Sequence, residues 1–113
     1  MPRQQFYDTA IKPERAVLVG IITPGETEDQ TREYLDELAF LVTTAGGETV
    51  RSFTQRMQRP ERATFVGTGK LEEISAFIKS KDIDMVVFDD ELSPSQLRNI
   101  ENELQGKILH RSK

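Results

Sequence analysis

The chain of 113 residues contains no cysteine and only one histidine, His110. Disulfide staples, thiolate metal sites and thiol catalysis are therefore excluded, and a single imidazole is left for any site chemistry. No stretch approaches the roughly 20 apolar residues that a bilayer-crossing helix needs. The opening residues, MPRQQFYD, also lack the apolar run of a secretory signal. These absences fit a reducing compartment, and the expected location is cytoplasmic. Aromatic residues are sparse at 7%, but 36% apolar and 30% charged residues place the chain among folded domains. At this length one core is expected.

Positive charge is in deficit overall. A formal net charge of −4 argues against binding to phosphate backbones, because lysine and arginine supply that affinity by releasing counterions. The average hides an asymmetry. Residues 49–70 hold Arg51, Arg56, Arg59, Arg62 and Lys70 against Glu61 alone, a surplus of +4 that leaves −8 on the remainder. A basic segment thus sits on an acidic body, a pattern that points to a contact surface.

Residues 1–13 are polar and aperiodic and read as a loosely held lead-in, in which Phe6, Tyr7 and Ile11 are candidates to dock on the folded part. The domain proper spans 14–113. Residues 16–22 (AVLVGII) form a continuous apolar run rich in β-branched side chains, the pattern of a strand buried on both faces of a parallel sheet. Thr27 followed by Gln30 makes a capping box, with Glu28 and Asp29 in the first turn where the helix dipole favours negative charge. Leu35, Leu38, Val42 and Ala45 give that helix one apolar face over 28–45, and Gly46-Gly47 supplies a left-handed stop.

Residues 48–55 (ETVRSFTQ) alternate weakly, as an exposed or edge strand does. Residues 63–66 (ATFV) read as another short strand, seven residues further on. A parallel crossover needs about a dozen residues, so the favoured reading is a protruding basic hairpin or arm. Leu71, Ile74, Phe77 and Ile78 predict a second helix over 70–79, and 85–89 (MVVFD) a second central strand. Ser93, Pro94 and Gln96 combine an N-cap, a first-turn proline and a reciprocal glutamine, starting a third helix with the face Leu97, Ile100 and Leu104. Gly106 ends it before a last strand at 107–110 (KILH). The expected fold is α/β: a mostly parallel sheet of four to five strands, about three helices, and a basic strand or hairpin arm, in two or three layers.

Three clusters are candidates for function. Gly67, Thr68, Gly69 and Lys70 lie between strand and helix, where backbone amides hold phosphates. They resemble a Walker A loop but have Thr64 where that loop needs glycine and Leu71 where it needs Ser or Thr, so a glycine-dependent turn is the favoured reading. Asp89, Asp90 and Glu91 end a central strand, the edge where open α/β sheets bind ligands. A magnesium site is conceivable there, yet carboxylates before a helix start are stabilised by its dipole, and no metal is assigned. The arm, with Arg51, Gln55, Arg56, Arg59 and Arg62, is suited to RNA phosphates, with Phe53 and Phe65 as candidate stacking rings. Its plainer reading is an edge guarded by charge. His110 has no nucleophile context, and no catalytic residue is assigned.

Taken together, ERAVLVGI (14–21), TAGGE (44–48), FVGTGKLEEI (65–74) and VVFDDELSPSQLRNIE (86–101) resemble the N-terminal domain of the HflX family of translation-factor-like GTPases, over residues 14–111. The positions carrying the match include Gln55, Gly67, Gly69, Lys70, Glu73, Asp89, Asp90, Glu91, Ser93, Pro94, Gln96 and Asn99. The resemblance implies a regulatory or binding domain preceding helical and GTPase domains, with GTP and magnesium held in the GTPase domain. It also implies the large ribosomal subunit and its rRNA as partners. GxxxxGK[ST], DxxG and NKxD motifs are absent from this chain, so no cofactor is expected on it. Two alternatives stay open: weak NTP binding through Lys70 with magnesium on Asp89 or Asp90, and a purely intramolecular regulator of the GTPase domain.

Overall fold

The computed structural model describes residues 12–111. The expected lead-in, with the docking of Phe6, Tyr7 and Ile11, lies outside these residues, except for Lys12 and Pro13, which are exposed. Strands and helices alternate as β1 (Arg15–Ile22), α1 (Glu28–Thr44), β2 (Glu48–Arg56), α2 (Thr68–Lys81), β3 (Met85–Phe88), α3 (Pro94–Glu103) and β4 (Lys107–His110).

The strands form one parallel sheet in the order β2-β1-β3-β4. β1 is hydrogen-bonded along both edges, from Arg15 opposite Glu48 to Ile22 opposite Arg56, and from Ala16 opposite Met85 to Val19 opposite Phe88. Its side chains alternate between two cores. Val17, Val19 and Ile21 join Ile74 and Ile78 of α2 and Ile100 of α3 on one face, while Ala16 and Leu18 meet Leu35, Leu38 and Val42 of α1 on the other. The domain is therefore three-layered, with the central strand buried on both faces as its apolar run requires.

Local signals set the helix starts. Thr27 Oγ1 accepts from the Gln30 amide at 3.0 Å while Gln30 Oε1 accepts from the Thr27 amide at 2.9 Å. Ser93 and Gln96 repeat the exchange at 3.1 and 2.9 Å ahead of α3. Two details of the helices differ from the sequence reading. Ala45 is the exposed C-cap of α1, and Thr31 takes its expected place on the buried face. α2 begins at Thr68 with Gly67 as N-cap and runs on to Lys81, where Asp82 in the left-handed region (φ 52) ends it.

The larger correction concerns the hairpin. The basic strand exists as β2, a full-length edge strand, but residues 63–66 form a turn and add no strand to the sheet. Glu61 and Phe65 exchange two backbone hydrogen bonds, at 3.0 and 2.9 Å, in an isolated antiparallel bridge. Phe65 takes a positive φ of 69, and this turns its ring inward, 1% exposed and edge-on to Phe88 at 5.6 Å. A β-like composition therefore masks a chain reversal that buries its aromatic residue.

Two glycines fix turns at the sheet ends and differ in their surroundings. Gly106 (φ +97) lies against the Asp84 carbonyl, 2.8 Å from where a Cβ would sit, whereas Gly25 (φ +94) faces open space. Gly25→Ala should cost about 1 kcal/mol from backbone strain alone, and Gly106→Ala about 2 kcal/mol or more because the backbone must also move. Equal urea midpoints for the two variants would contradict this assignment.

Candidate functional site

The strand order places a topological switch between β1 and β3: the chain leaves β1 for β2, then returns past β1 to β3. Open α/β sheets bind ligands in the crevice at the carboxyl ends of such strands. A cleft of about 540 Å³ lies there, lined by Thr23, Glu26, Tyr34, Glu37, Asp89 and Arg111 among others. Its lining includes four carboxylates, with Asp90, and one cation.

That cation is fully engaged. Arg111 donates through Nη1 to Asp89 Oδ1 at 2.7 Å and through Nη2 to Glu37 Oε1. The hydrogen bond that it donates to Asp89, and then that to Glu37, holds the guanidinium above its ordinary range. Asp89 has a side chain only 8% exposed, so Arg111 is the charge that makes its burial tolerable. Asp90 Oδ1 accepts the Glu91 amide at 2.8 Å, and Glu91 is exposed. Among the described residues no three acidic or imidazole side chains come together as a metal cage.

The Gly67–Lys70 stretch is similarly occupied. The Gly67 amide, the first free donor of α2, donates to Gln55 Oε1 at 2.9 Å. Lys70 Nζ pairs with Glu73 at 3.0 Å, and the same carboxylate takes Arg51 at 3.4 Å. Arg51 also lies over the rings of Phe53 and Phe77, 4.2 and 5.1 Å from their centres. Phe53 and Phe65 are 2% and 1% exposed, so neither can stack on a base; their place is in the core. Within the basic segment Arg56 approaches Glu28 at 3.9 Å, while Arg59 and Arg62 stand exposed without an ion pair among the described residues.

Residues 57–67 are the hub that joins these clusters. Gln96 Nε2 donates to the Glu61 carbonyl at 2.7 Å, and Asn99 Nδ2 to the Ala63 carbonyl at 3.0 Å. Pro60 from the same loop lines the acidic cleft. Two of the residues singled out in FDDELSPSQLRN thus hold the basic loop over the sheet edge, and Ser93 caps the helix that carries them. His110 has a structural part as well: its Nδ1 accepts the Leu92 amide at 3.2 Å. The sequence reading missed Arg111, Glu37 and Glu26. A cation just after the last strand was the available signal for Arg111, but its partners lie 22 and 74 residues away.

Fold and site together define a small doubly wound α/β domain whose polar groups mostly serve one another, with a basic loop left open at the carboxyl edge. The family model described as GTP-binding GTPase N-terminal matches residues 32–113, and the chain belongs to that family. A GTPase HflX of Flavobacterium psychrophilum is 50% identical over 99 residues, covering 88% of this chain and 24% of that protein. One from Caldanaerobacter subterraneus is 40% identical over 99 residues, with 88% and 22% covered. One from Escherichia coli is 37% identical over 107 residues, with 95% and 24% covered. The chain thus spans about a quarter of the length of these curated relatives. The resemblance carried by the four sequence stretches holds.

If Gln96 and Asn99 position the loop, Gln96→Ala and Asn99→Ala should each destabilise the domain by about 1 kcal/mol. Hydrogen exchange at the Phe65 amide should quicken in both, with β1 amides unchanged. An unaltered Phe65 exchange rate would remove the loop-holding role.

Proposed function

We propose that this chain is a non-catalytic binding and regulatory domain of a cytoplasmic GTP-hydrolysing protein that associates with the large ribosomal subunit, its basic loop contacting rRNA. The observation that carries the reading is the pair Arg59 and Arg62, exposed on a loop that Gln96 and Asn99 hold from below, on an otherwise acidic body. Unpaired cations on an ordered loop contact phosphate oxygens without first breaking internal ion pairs. The name GTPase carried by the relatives, and the quarter of their length that this chain spans, support placing the hydrolytic chemistry in the remaining three quarters.

GTP and magnesium find no fitting seat on these residues. Leu71 stands after Lys70, where a phosphate-binding loop places the serine or threonine that holds magnesium, Lys70 is paired with Glu73, and the cleft at the β1–β3 switch is acidic. No chemical step is assigned to the chain, and the reading with its own NTP site loses ground on charge: a triphosphate entering the cleft would face four carboxylates. No helix among the described residues is long and apolar enough to cross a membrane.

In the full-length protein, Arg59→Glu with Arg62→Glu should weaken co-sedimentation with large subunits and reduce the slope of log affinity against log salt by about 2. Unchanged co-sedimentation would remove the loop from the interface. Calorimetry of the chain with GTP and ATP should give no saturable heat. Binding abolished by Lys70→Ala would restore the nucleotide reading.

A further inference from the structure

The cleft above β1 and β3 holds more charge than its own residues offset. Glu26, Glu37, Asp89 and Asp90 line it with Arg111 as the one cation, so four carboxylates less one guanidinium leave −3. Arg111 serves the β4 side, where Asp89 and Glu37 share it. The wall built from the end of β1 and the start of α1 has no such counter-charge. There Glu26 Oε1 accepts from the hydroxyl and the amide of Thr23, at 2.9 and 3.4 Å, and Glu26 forms no ion pair among the described residues.

A second observation on the same wall does not depend on charge. Thr31, in the first turn of α1, is 3% exposed and lines the cleft, yet its hydroxyl makes no hydrogen bond to a described residue. The usual resort of a helical threonine is the carbonyl four residues back, as Thr44 uses that of Phe40 at 2.9 Å. For Thr31 that carbonyl belongs to Thr27, and it takes the Thr31 backbone amide at 3.1 Å instead. Buried polar groups are ordinarily hydrogen-bonded, and the direction left to this one is into the cleft. Tyr34 stands on the same side, 48% exposed, and Ile21 and Pro60 complete an apolar margin.

We propose that this cleft binds a linear aliphatic polyammonium ion. One ammonium group is held by the Glu26 carboxylate and the Thr31 hydroxyl oxygen, and the methylene chain lies along Tyr34 and Pro60. An ammonium group has donors and no acceptor, so carboxylates, a hydroxyl oxygen and a ring face are the partners it needs. At about 540 Å³ the cleft is of the size that holds small ligands. A bare divalent ion fits less well, because among the described residues no three acidic or imidazole groups converge to cage one. An anion is repelled by the surplus of carboxylates. The site uses neither Arg59 nor Arg62, so the inference is independent of ribosome contact.

The test is calorimetry of the full-length protein with spermidine, without ribosomes and at low salt. Saturable, single-site binding is expected. Thr31→Val, which keeps the shape of the buried side chain and removes its hydroxyl, and Glu26→Gln should each weaken binding about tenfold. Glu103→Gln removes the same charge at the far end of α3 and should leave binding unchanged. Should Thr31→Val fail to fold, Glu26→Gln carries the test against Glu103→Gln. Equal losses in the cleft variants and in Glu103→Gln would mean diffuse attraction to an acidic surface and would overturn the proposal. So would magnesium giving the same saturable heat at matched ionic strength. Absence of any spermidine heat overturns it as well, and leaves the cleft to a lysine or arginine of the longer protein. Loss of ribosome co-sedimentation in the loop variants does not alter these outcomes.

Discussion

The double pairing of β1 is the constraint on which the domain depends. A strand hydrogen-bonded on both edges and buried on both faces has no surface left over, so its eight residues must be almost wholly apolar and must carry helices on either side. From that follow the two cores, the three layers and the switch point above β1 and β3. The candidate site is a by-product of this geometry: a crevice opens where the chain departs in opposite directions from two adjacent strands.

What fills the crevice is self-directed polarity. Asp89, nearly buried, is balanced by Arg111, which also ties β4 to α1 through Glu37. Gln55 takes the first amide of α2, and Glu73 gathers Arg51 and Lys70. Groups arranged to satisfy one another have little capacity left for substrate. Arg59 and Arg62, exposed and without an ion pair among the described residues, stand apart from this framework.

Sequence reading succeeded where the determinants are local. The Thr27 and Ser93 capping boxes each involve residues three apart, and the apolar runs of β1 and β3 state their burial without help from elsewhere. It failed at 63–66, because Ala-Thr-Phe-Val has the composition of a strand and composition carries no sign of φ; only the pairing of Phe65 with Glu61 and with Phe88 settles the reversal. The site was half legible. Asp89, Gln96 and Asn99 were picked out by motif, but their partners Arg111, Glu61 and Ala63 lie 22 to 36 residues distant, beyond any local rule. The stacking role expected of Phe53 and Phe65 failed for the same reason, since burial is set by tertiary packing.

The Phe65 turn has a consequence for how this domain can vary. Its bridge to Glu61 closes a ring of fixed size, with one side chain sunk beside Phe88 and two carbonyls tied down by α3. An inserted or deleted residue between 61 and 65 would dislodge all of these together. The connection after β1 is tied only within itself, by Thr23 and Glu26, and Gly25 at its tip faces open space. Length changes among related chains should therefore collect at the second connection and be purged from the first, making the 61–65 ring a ruler against which such sequences can be aligned.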